Sequence, residues 1–444
     1  MKFITKYIKN DSYYVIVGNI LAAVFSMLSF MILARTLSLK EFGQFETYLA
    51  LIVIAELIRR GLSNNALVRF INSNDKSKRN EIISSSWIIN LILNTFFTIV
   101  FYLTYFLFTK NLNYEVLNLF LVYYPILMWS ILPLSVVRSL LQADSKFKLL
   151  ALSNIFVPIT LFLAYLIGAL THYNSIMFVV FCNIFFRLIL TIFIVIKYSN
   201  YFIQVKYASI NMIKQLLNFG KYNILTNLSS NILKSSDKIL IQYFLGPSFV
   251  AYWSIPTKLT EIIDNPLRSS SATSFPKITK LYNENKTKEL ADYIHKMISK
   301  YIIFAIPLIL ISIFIPQLFI NILGGTGFEK SFIILQIFSI YFFLLPFDRF
   351  IGTTLTAINK PQLDTIKVAA MTIINIIGDI IVLHYFNNIW SVAIVTILNI
   401  LAGVIVGSVL LKKHLKEFHI YKIFYYITPQ INEIYYTIKN KIND

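Results

Sequence analysis

Two neighbouring apolar stretches carry polar side chains at the three- and four-residue spacing of a helix. The first stretch has Asn223, Asn227, Asn231, Lys234, Lys238 and Gln242, and the second has Ser254, Lys258, Glu261, Asn265 and Arg268. This spacing places each set on one face of a helix. Cations on such a face can neutralise an anion, and amides can hydrogen-bond to polar groups. The two faces therefore predict a water-filled cavity inside a helix bundle.

The first stretch has the length of a membrane span but cannot face lipid. From Ile224 to Gln242 it includes Lys234, Asp237 and Lys238. Three charges near the centre of a span cost about 8–10 kcal/mol, whereas its eight aliphatic residues return about 4 kcal/mol. A helix with this balance needs other helices or water around its charged face.

Composition defines the class of protein. The 444-residue chain is 57% hydrophobic and 14% charged, and its mean hydropathy is +0.68. These values predict an integral membrane protein. The net charge of +19 does not indicate a nucleic-acid partner, because too little polar surface is available to display it. The single cysteine, Cys182, excludes an internal disulfide or a multi-thiolate metal site, and no cofactor is predicted.

The apolar runs predict an all-α protein with about twelve transmembrane helices. The predicted spans lie near 13–35, 43–60, 83–108, 117–137, 149–170, 175–196, 222–243, 249–270, 300–323, 331–352, 364–385 and 389–411. With the N-terminus inside, nearly all loop Lys and Arg residues, Lys367 among them, fall on the inner side, and only Lys40, Lys110 and Lys330 fall outside. The positive-inside rule therefore predicts two cytoplasmic termini. The expected location is the bacterial cytoplasmic (inner) membrane.

This topology divides the chain into four regions. We expect an N-terminal six-helix lobe at 1–196, a cytoplasmic linker at 197–221, a C-terminal six-helix lobe at 222–411 and a basic cytoplasmic tail at 412–444. The inner connections at 197–221 and 271–299 are predicted to carry amphipathic helices at the headgroup level, and the tail is predicted to lie on the membrane surface.

The two halves show a weak internal repeat. A shift of 208 residues aligns Asn19 with Asn227 and the turn at 37–43 with that at 245–251, and a shift of 214 aligns 141–146 with 355–360. With six spans in each half, the repeat predicts two lobes related by a pseudo-two-fold axis along the membrane normal, with a central cavity.

Several motifs resemble one transporter family. RTLSLKEFGQF at 35–45 and RRGLSNNALVRF at 59–70 are similar to the first two spans of polysaccharide flippases of the multidrug/oligosaccharidyl-lipid/polysaccharide exporter superfamily. FGKYN at 219–223, SDKILIQYFLG at 236–246, AYWSIPTKL at 251–259 and SFPKI at 274–278 resemble the start of that family's second half. The resemblance extends to the branch that includes O-antigen repeat-unit (Wzx-type) flippases.

The resemblance implies a V-shaped pair of lobes and translocation of undecaprenyl-diphosphate-linked oligosaccharide to the outer leaflet by alternating access. Such a substrate needs cations for its pyrophosphate and a polar path for its glycan. The candidate cations are Arg35, Arg187, Lys234, Lys238, Lys258 and Arg268. The candidate glycan-path residues are Asn19, Asn227, Asn231, Gln242, Tyr252 and Trp253. The candidates for ion coupling or ion pairing are Asp237, Glu261, Asp264, Asp348 and Asp379.

Other interpretations stay open at this point. Asp237 could pair within its helix with Lys234 or Lys238, and Arg268 could reach to lipid phosphates. A flippase for peptidoglycan precursor or teichoic-type polymers presents the same pyrophosphate chemistry, and a cation-coupled multidrug antiporter belongs to the same superfamily. A membrane polysaccharide polymerase would need large outer loops, which this chain lacks, so we expect a non-enzyme. The expected partners are the lipid-linked oligosaccharide, the lipid bilayer, a coupling proton or sodium ion and a polysaccharide polymerase complex.

Overall fold

The computed structural model describes residues 12–73, 78–108, 115–199 and 207–432. The side chains of residues 221–230 and of Lys234, and of a few residues elsewhere, lie outside the described set. Asn227 and Lys234 are therefore placed only along the backbone of their helix.

The described ranges contain helices and no strand. In chain order the helices are α1 (Ser12–Thr36), α2 (Leu39–Ser73), α3 (Arg79–Phe108), α4 (Glu115–Ala143), α5 (Phe147–Leu170), α6 (Ile176–Lys197), α7 (Ile210–Phe244), α8 (Pro247–Asn283), α9 (Thr287–Phe314), α10 (Pro316–Leu323), α11 (Ser331–Ala357), α12 (Pro361–Phe386), α13 (Ile389–Lys412) and α14 (Lys422–Tyr425). Eleven of the twelve predicted spans each fall on one helix and the span at 300–323 falls on two, which confirms the all-α membrane architecture.

Nine of the helices in the described part of the chain are long and apolar enough to cross a membrane. The three long helices that are too polar for this group are α2, α7 and α8. Helices α7 and α8 carry the two polar faces found in the sequence, and α2 carries buried acidic and basic residues. Polar helices of this length need protein or water around them rather than lipid alone.

The helices differ from the predicted spans mainly at their ends. Helix α8 continues to Asn283 and α9 begins at Thr287, so the connection predicted at 271–299 is mostly an extension of two long helices rather than a separate amphipathic helix. The predicted span at 300–323 is interrupted at Ile315, because Pro316 has no N–H to continue the backbone ladder. Helix α10 then forms a separate short segment.

The chain forms two compact units, residues 1–239 and 240–444. The boundary lies within α7, and the lobe division at 197–221, which rests on counting helices, stays a prediction. In the first unit, α4 packs against α2, α3, α5 and α6. In the second unit, α11 packs against α8, α9, α12 and α13. Helices α4 and α11 thus form the centres of the two units.

The turns that follow α4 and α11 have the same backbone conformation. Ser145 and Asn359 are both left-handed, with φ of 55° and 63°. In each turn the next residue donates its N–H to a helix carbonyl: Lys146 to Leu141 and Lys360 to Leu355. These positions are 214 residues apart, as the sequence repeat predicts, and the pattern is that of a Schellman cap. The structure therefore supports the weak alignment of the two halves.

Candidate functional site

A buried carboxylate in α2 forms the centre of the first polar cluster. The Glu56 side chain is 9% exposed and accepts two bonds from Arg59, at 2.8 and 3.0 Å, and one from Arg60 at 2.7 Å. The Tyr124 hydroxyl of α4 donates a fourth bond at 3.1 Å. Arg59 is fully buried, whereas the Arg60 side chain is 46% exposed. The cluster therefore holds one guanidinium inside the unit and presents another at its surface.

A second cluster has the same organisation in α8 and α11. The Asp264 carboxylate is 7% exposed and accepts from Arg268 Nε at 2.8 Å and Nη2 at 2.7 Å. Arg349 donates to it from Nε at 2.6 Å and from Nη2 at 2.7 Å. The Arg268 side chain is 49% exposed and that of Arg349 is 28% exposed. The bonds of Arg349 reach both oxygens of the carboxylate, and bidentate bonds of this kind fix a guanidinium in position as well as stabilising its charge.

The internal repeat relates these two clusters residue by residue. Glu56 and Asp264 are separated by 208 positions, and so are Arg60 and Arg268. Both pairs have i,i+4 spacing on one helix, and both arginines are about half exposed. Sequence reasoning identified Asp264 and Arg268 but took Arg59 and Arg60 for cytoplasmic loop charges. Extending the 208-residue shift along α2 would have found Glu56 and Arg60.

The second arginine of each cluster comes from a different helix. In the first unit it is Arg59 of α2, whose Nη1 lies 3.4 Å from Ser135 Oγ of α4. In the second unit it is Arg349 of α11, and the 214-residue shift aligns Arg349 with Ser135. The position aligned with Arg59 is Leu267, which is 1% exposed. The second guanidinium therefore comes from the carboxylate's own helix in the first unit and from the facing helix in the second.

Arg187 of α6 lies near the first cluster. It is within electrostatic range of Glu56, Arg60 and two tyrosines. Its Nε is buried and makes no hydrogen bond among the described atoms. That Arg187 binds the pyrophosphate stays a prediction.

Lys238 of α7 pairs with a residue that the sequence analysis did not single out. Its Nζ lies 2.5 Å from Glu46 Oε2 of α2, and the two side chains are 17% and 9% exposed. The neighbouring Asp237 is buried, and Asn231 is half-buried. Lys238 is therefore bound to a carboxylate of the first unit in this structure.

The Asp379 carboxylate of α12 lies among amides. Asn375 Nδ2 donates to Asp379 Oδ2 at 3.2 Å, and Asn399 of α13 donates to the Asn375 side-chain oxygen. Asp379 and Asn375 are fully buried, and Asn399 is 3% exposed. This is the most enclosed of the five predicted carboxylates, since Glu261 is 63% exposed and pairs with Lys258 at 2.9 Å.

Asp348 and Arg349 point to different partners, as their adjacent positions on a helix predict. Asp348 Oδ1 lies 2.7 Å from Lys367 Nζ, while Arg349 binds Asp264. The count of loop charges was wrong to include Lys367: it lies inside α12, is 3% exposed and also contacts Asp364 at 3.3 Å. Gly352 and Gly407 leave room for the Lys367 side chain.

The remaining candidates lie apart from these clusters. Arg35 is exposed at the end of α1, where it donates to the Met31 carbonyl at 3.0 Å, and Asn19 is exposed on the same helix. Trp253 is 1% exposed and packs edge-on against Phe338. Its indole therefore has no free surface for a glycan in this structure.

Comparisons with known proteins agree with this architecture. The CapF capsular polysaccharide biosynthesis protein of Staphylococcus aureus is 25% identical over 80% of this chain and 86% of its own length. Two archaeal relatives match over shorter regions. The uncharacterised membrane protein MJ1068 of Methanocaldococcus jannaschii is 26% identical over 42% of this chain, and Agl15 of Haloferax volcanii, a probable low-salt glycan biosynthesis flippase, is 21% identical over 41%. The matches span 37% and 39% of those two relatives.

Solved structures of transporters share the fold. The lipid II flippase MurJ in an inward closed conformation superposes with a TM-score of 0.75, at 16% identity, over 96% of this chain and 92% of its own. An inward-facing multidrug MATE transporter superposes with a TM-score of 0.72, at 16% identity, over 89% of this chain and 96% of its own. At this identity the likeness shows the fold alone. The polysaccharide biosynthesis protein family model matches residues 8–282, and the chain therefore belongs to that family, with the fold of the flippase and multidrug transporters of the MOP superfamily.

Proposed function

We propose that this protein is a flippase that carries undecaprenyl-diphosphate-linked oligosaccharide repeat units from the cytoplasmic to the outer leaflet of the bacterial cytoplasmic membrane, by alternating access. The product would feed assembly of O-antigen, capsule or exopolysaccharide, and a polysaccharide polymerase is the expected partner. The family match and the capsular relative support a role in surface polysaccharide synthesis.

The observation that carries this proposal is the matched pair Arg60 and Arg268. Each is anchored by a buried carboxylate, Glu56 or Asp264, and each remains about half exposed. Each carboxylate also binds a second arginine, so it is shared by two guanidinium groups. The exposed guanidinium groups are suited to phosphate oxygens, which accept their parallel N–H donors.

Asp379 is the favoured candidate for a coupling ion. A fully buried carboxylate beside Asn375 and Asn399 can bind a proton, or a sodium ion with the amide oxygens as further ligands. A buried ionisable group in a membrane helix carries a cost that a functional role explains. Asp237, which is also buried, is the second candidate.

Gene deletion and complementation in the native host test the proposal. Deletion should cause undecaprenyl-diphosphate-linked oligosaccharide to accumulate on the cytoplasmic side and should remove surface polysaccharide. Wild type should restore export, whereas Arg268→Ala and Arg60→Ala should not. Thr273→Ala is the matched control, because this exposed threonine lies on the same helix as Arg268 and belongs to neither cluster.

Other outcomes would point to a different transporter. Accumulation of peptidoglycan precursor would identify the lipid II-type alternative, since the pyrophosphate chemistry is shared. Normal surface polysaccharide together with new sensitivity to cationic compounds would identify a drug exporter and contradict the proposal.

A further inference from the structure

A pocket in the second unit lies outside the clusters described above. It has a volume of about 470 Å³, within the range of about 300–1,000 Å³ that is typical of small-molecule sites. Four segments form it: the first turn of α8, the loop before α11, the first turn of α11 and the connection between α12 and α13. The lining residues are Phe249, Glu329, Lys330, Phe332, Ile333, Asn388, Ile389 and Trp390.

The loop that carries Glu329 and Lys330 is held in place by contacts with α8. Gly325 and Gly327 adopt positive φ values of 83° and 92°, which lets the chain turn tightly. Phe328 is then 1% exposed and packs edge-on against Tyr252 at 6.3 Å between ring centroids. The buried Ser331 hydroxyl donates to the Tyr252 carbonyl at 2.9 Å. These contacts hold the loop with Glu329 and Lys330 against the start of α8.

The indole of Trp390 is held at the pocket by a helix cap. Asn387 is left-handed, with φ of 47°, and Asn388 accepts from the Trp390 backbone N–H at 2.9 Å. This N-cap sets the direction in which α13 starts. Trp390 remains 43% exposed, and Phe332 is 38% exposed. Two aromatic surfaces are thus available on a rigid frame.

The charges in the pocket are balanced. Hydrogen bonds from its own backbone N–H and from that of Gly327, at 3.0 Å, lower the pKa of Glu329, so it is ionised at neutral pH. Lys330 Nζ lies 5.6 Å from the Phe249 ring centroid and 5.7 Å from that of Tyr252. Adjacent opposite charges favour a neutral, hydroxyl-rich ligand over a phosphate, which the Glu329 carboxylate would repel.

We propose that this pocket is a glycan subsite that binds sugar residues of the oligosaccharide on the side of the membrane where the substrate is released. The inference rests on the proposed function and adds a site that holds the sugar part of the lipid-linked substrate. The lining is mostly apolar, so the C–H faces of a pyranose would pack on its aromatic rings, and the hydroxyls would bond to the few polar groups, Glu329, Lys330 and Asn388. The positive-inside topology places Lys330, and hence this pocket, on the outer side.

Tryptophan fluorescence can test the pocket directly. Of the four tryptophans, Trp87 and Trp253 are buried, and Trp129 and Trp390 are exposed. In a Trp129→Phe background, Trp390 is therefore the exposed reporter. The full-length protein in nanodiscs would be titrated with oligosaccharide released by mild acid from the host's lipid-linked intermediates.

We expect a saturable fluorescence change that Glu329→Ala and Phe332→Ala weaken by at least tenfold in affinity. Tyr385→Ala is the matched control, because Tyr385 is 77% exposed and lies five residues from Trp390 but does not line the pocket. That variant should bind as the parent does. A linear response, or wild-type affinity in both pocket variants, would overturn the proposal.

Titration with soluble lipid headgroups distinguishes a lipid site from a glycan site. If soluble glycerophosphoethanolamine or glycerophosphoglycerol gives the saturable change and the oligosaccharide does not, the pocket is a headgroup site and the glycan assignment is wrong. The deletion strain separates this failure from that of the proposed function. If deletion still blocks export while Glu329→Ala restores it and binds normally, only the subsite fails; if deletion leaves lipid-linked oligosaccharide unchanged, the flippase itself is wrong.

Discussion

The Glu56 and Asp264 clusters share a plan and differ in how tightly they are enclosed. Glu56 accepts from two arginines and from Tyr124, and its Arg59 partner is fully buried. Asp264 accepts from two arginines, and both reach the surface, at 49% and 28% exposure. The Asp264 cluster therefore presents more guanidinium surface than the Glu56 cluster, in which one arginine is fully enclosed.

The largest expected effect is loss of the enclosed carboxylate. Glu56→Ala leaves Arg59 buried without its counter-charge and should lower the free energy of unfolding by about 3–5 kcal/mol. Asp264→Ala should cost less, about 1–3 kcal/mol, because its arginines can be hydrated. Thermal unfolding in one detergent would measure both, with the exposed Thr273→Ala as control. Equal losses in the two variants would contradict the contrast.

Exchanging the second arginine tests whether the two clusters are interchangeable. Arg349→Ser removes two bonds to Asp264 and should cost about 2–3 kcal/mol. Adding Leu267→Arg places a guanidinium at the position that Arg59 has in the first unit, and should restore part of that loss. Leu267→Arg alone should destabilise, since it buries an extra charge. If the double variant is no more stable than the less stable of the two single variants, an arginine at 267 cannot replace Arg349 and the two clusters are not interchangeable.

The Glu46–Lys238 pair is a second difference between the two units. The 208-residue shift aligns Glu46 with Ser254, an uncharged residue that is 1% exposed. Lys238→Gln leaves the buried Glu46 unpaired and should cost about 2 kcal/mol. The reversed pair, Glu46→Lys with Lys238→Glu, should recover stability in the same unfolding assay. If stability is not recovered, the loss in Lys238→Gln comes from contacts with other neighbouring groups and not from the ion pair.

Arg60 and Arg268 should affect transport more than stability. Because both are about half exposed, Arg268→Lys and Arg60→Lys should lower the free energy of unfolding by less than about 1 kcal/mol. Lysine lacks the bidentate geometry for phosphate, so we expect export of lipid-linked oligosaccharide to fall at least about tenfold. Surface polysaccharide, quantified at matched protein levels, gives the readout. Full export with both lysines would assign these arginines to structure alone.

The smallest effect concerns the matched turns after α4 and α11. A left-handed backbone conformation costs serine more than asparagine, and it costs glycine little. Ser145→Gly should therefore raise the free energy of unfolding by up to about 1 kcal/mol, and Asn359→Gly by less. Differential scanning of both variants in one detergent would show the order. A larger gain at Asn359 would mean that the two turns are not equivalent in energy.

Much of the fold follows from the sequence itself. Runs of apolar residues determine where each helix lies, because hydrocarbon accepts only helices of sufficient length. The need of α7 for non-lipid surroundings could be read from Lys234, Asp237 and Lys238 alone, and the backbone turns at Ser145 and Asn359 agree with the repeat. These properties are local, so they depend on residue type and spacing.

The pairing of charges was decided only by the tertiary structure. Asp264 meets Arg349 across 85 positions, and Lys238 meets Glu46 across 192. Lys367 looked like a loop cation because its burial depends on Gly352 and Gly407 of neighbouring helices. Sequence alone predicted that α7 carries cations that need surroundings other than lipid. Which carboxylate neutralises each cation depends on helix packing, because opposite charges from distant segments meet only after the helices have assembled.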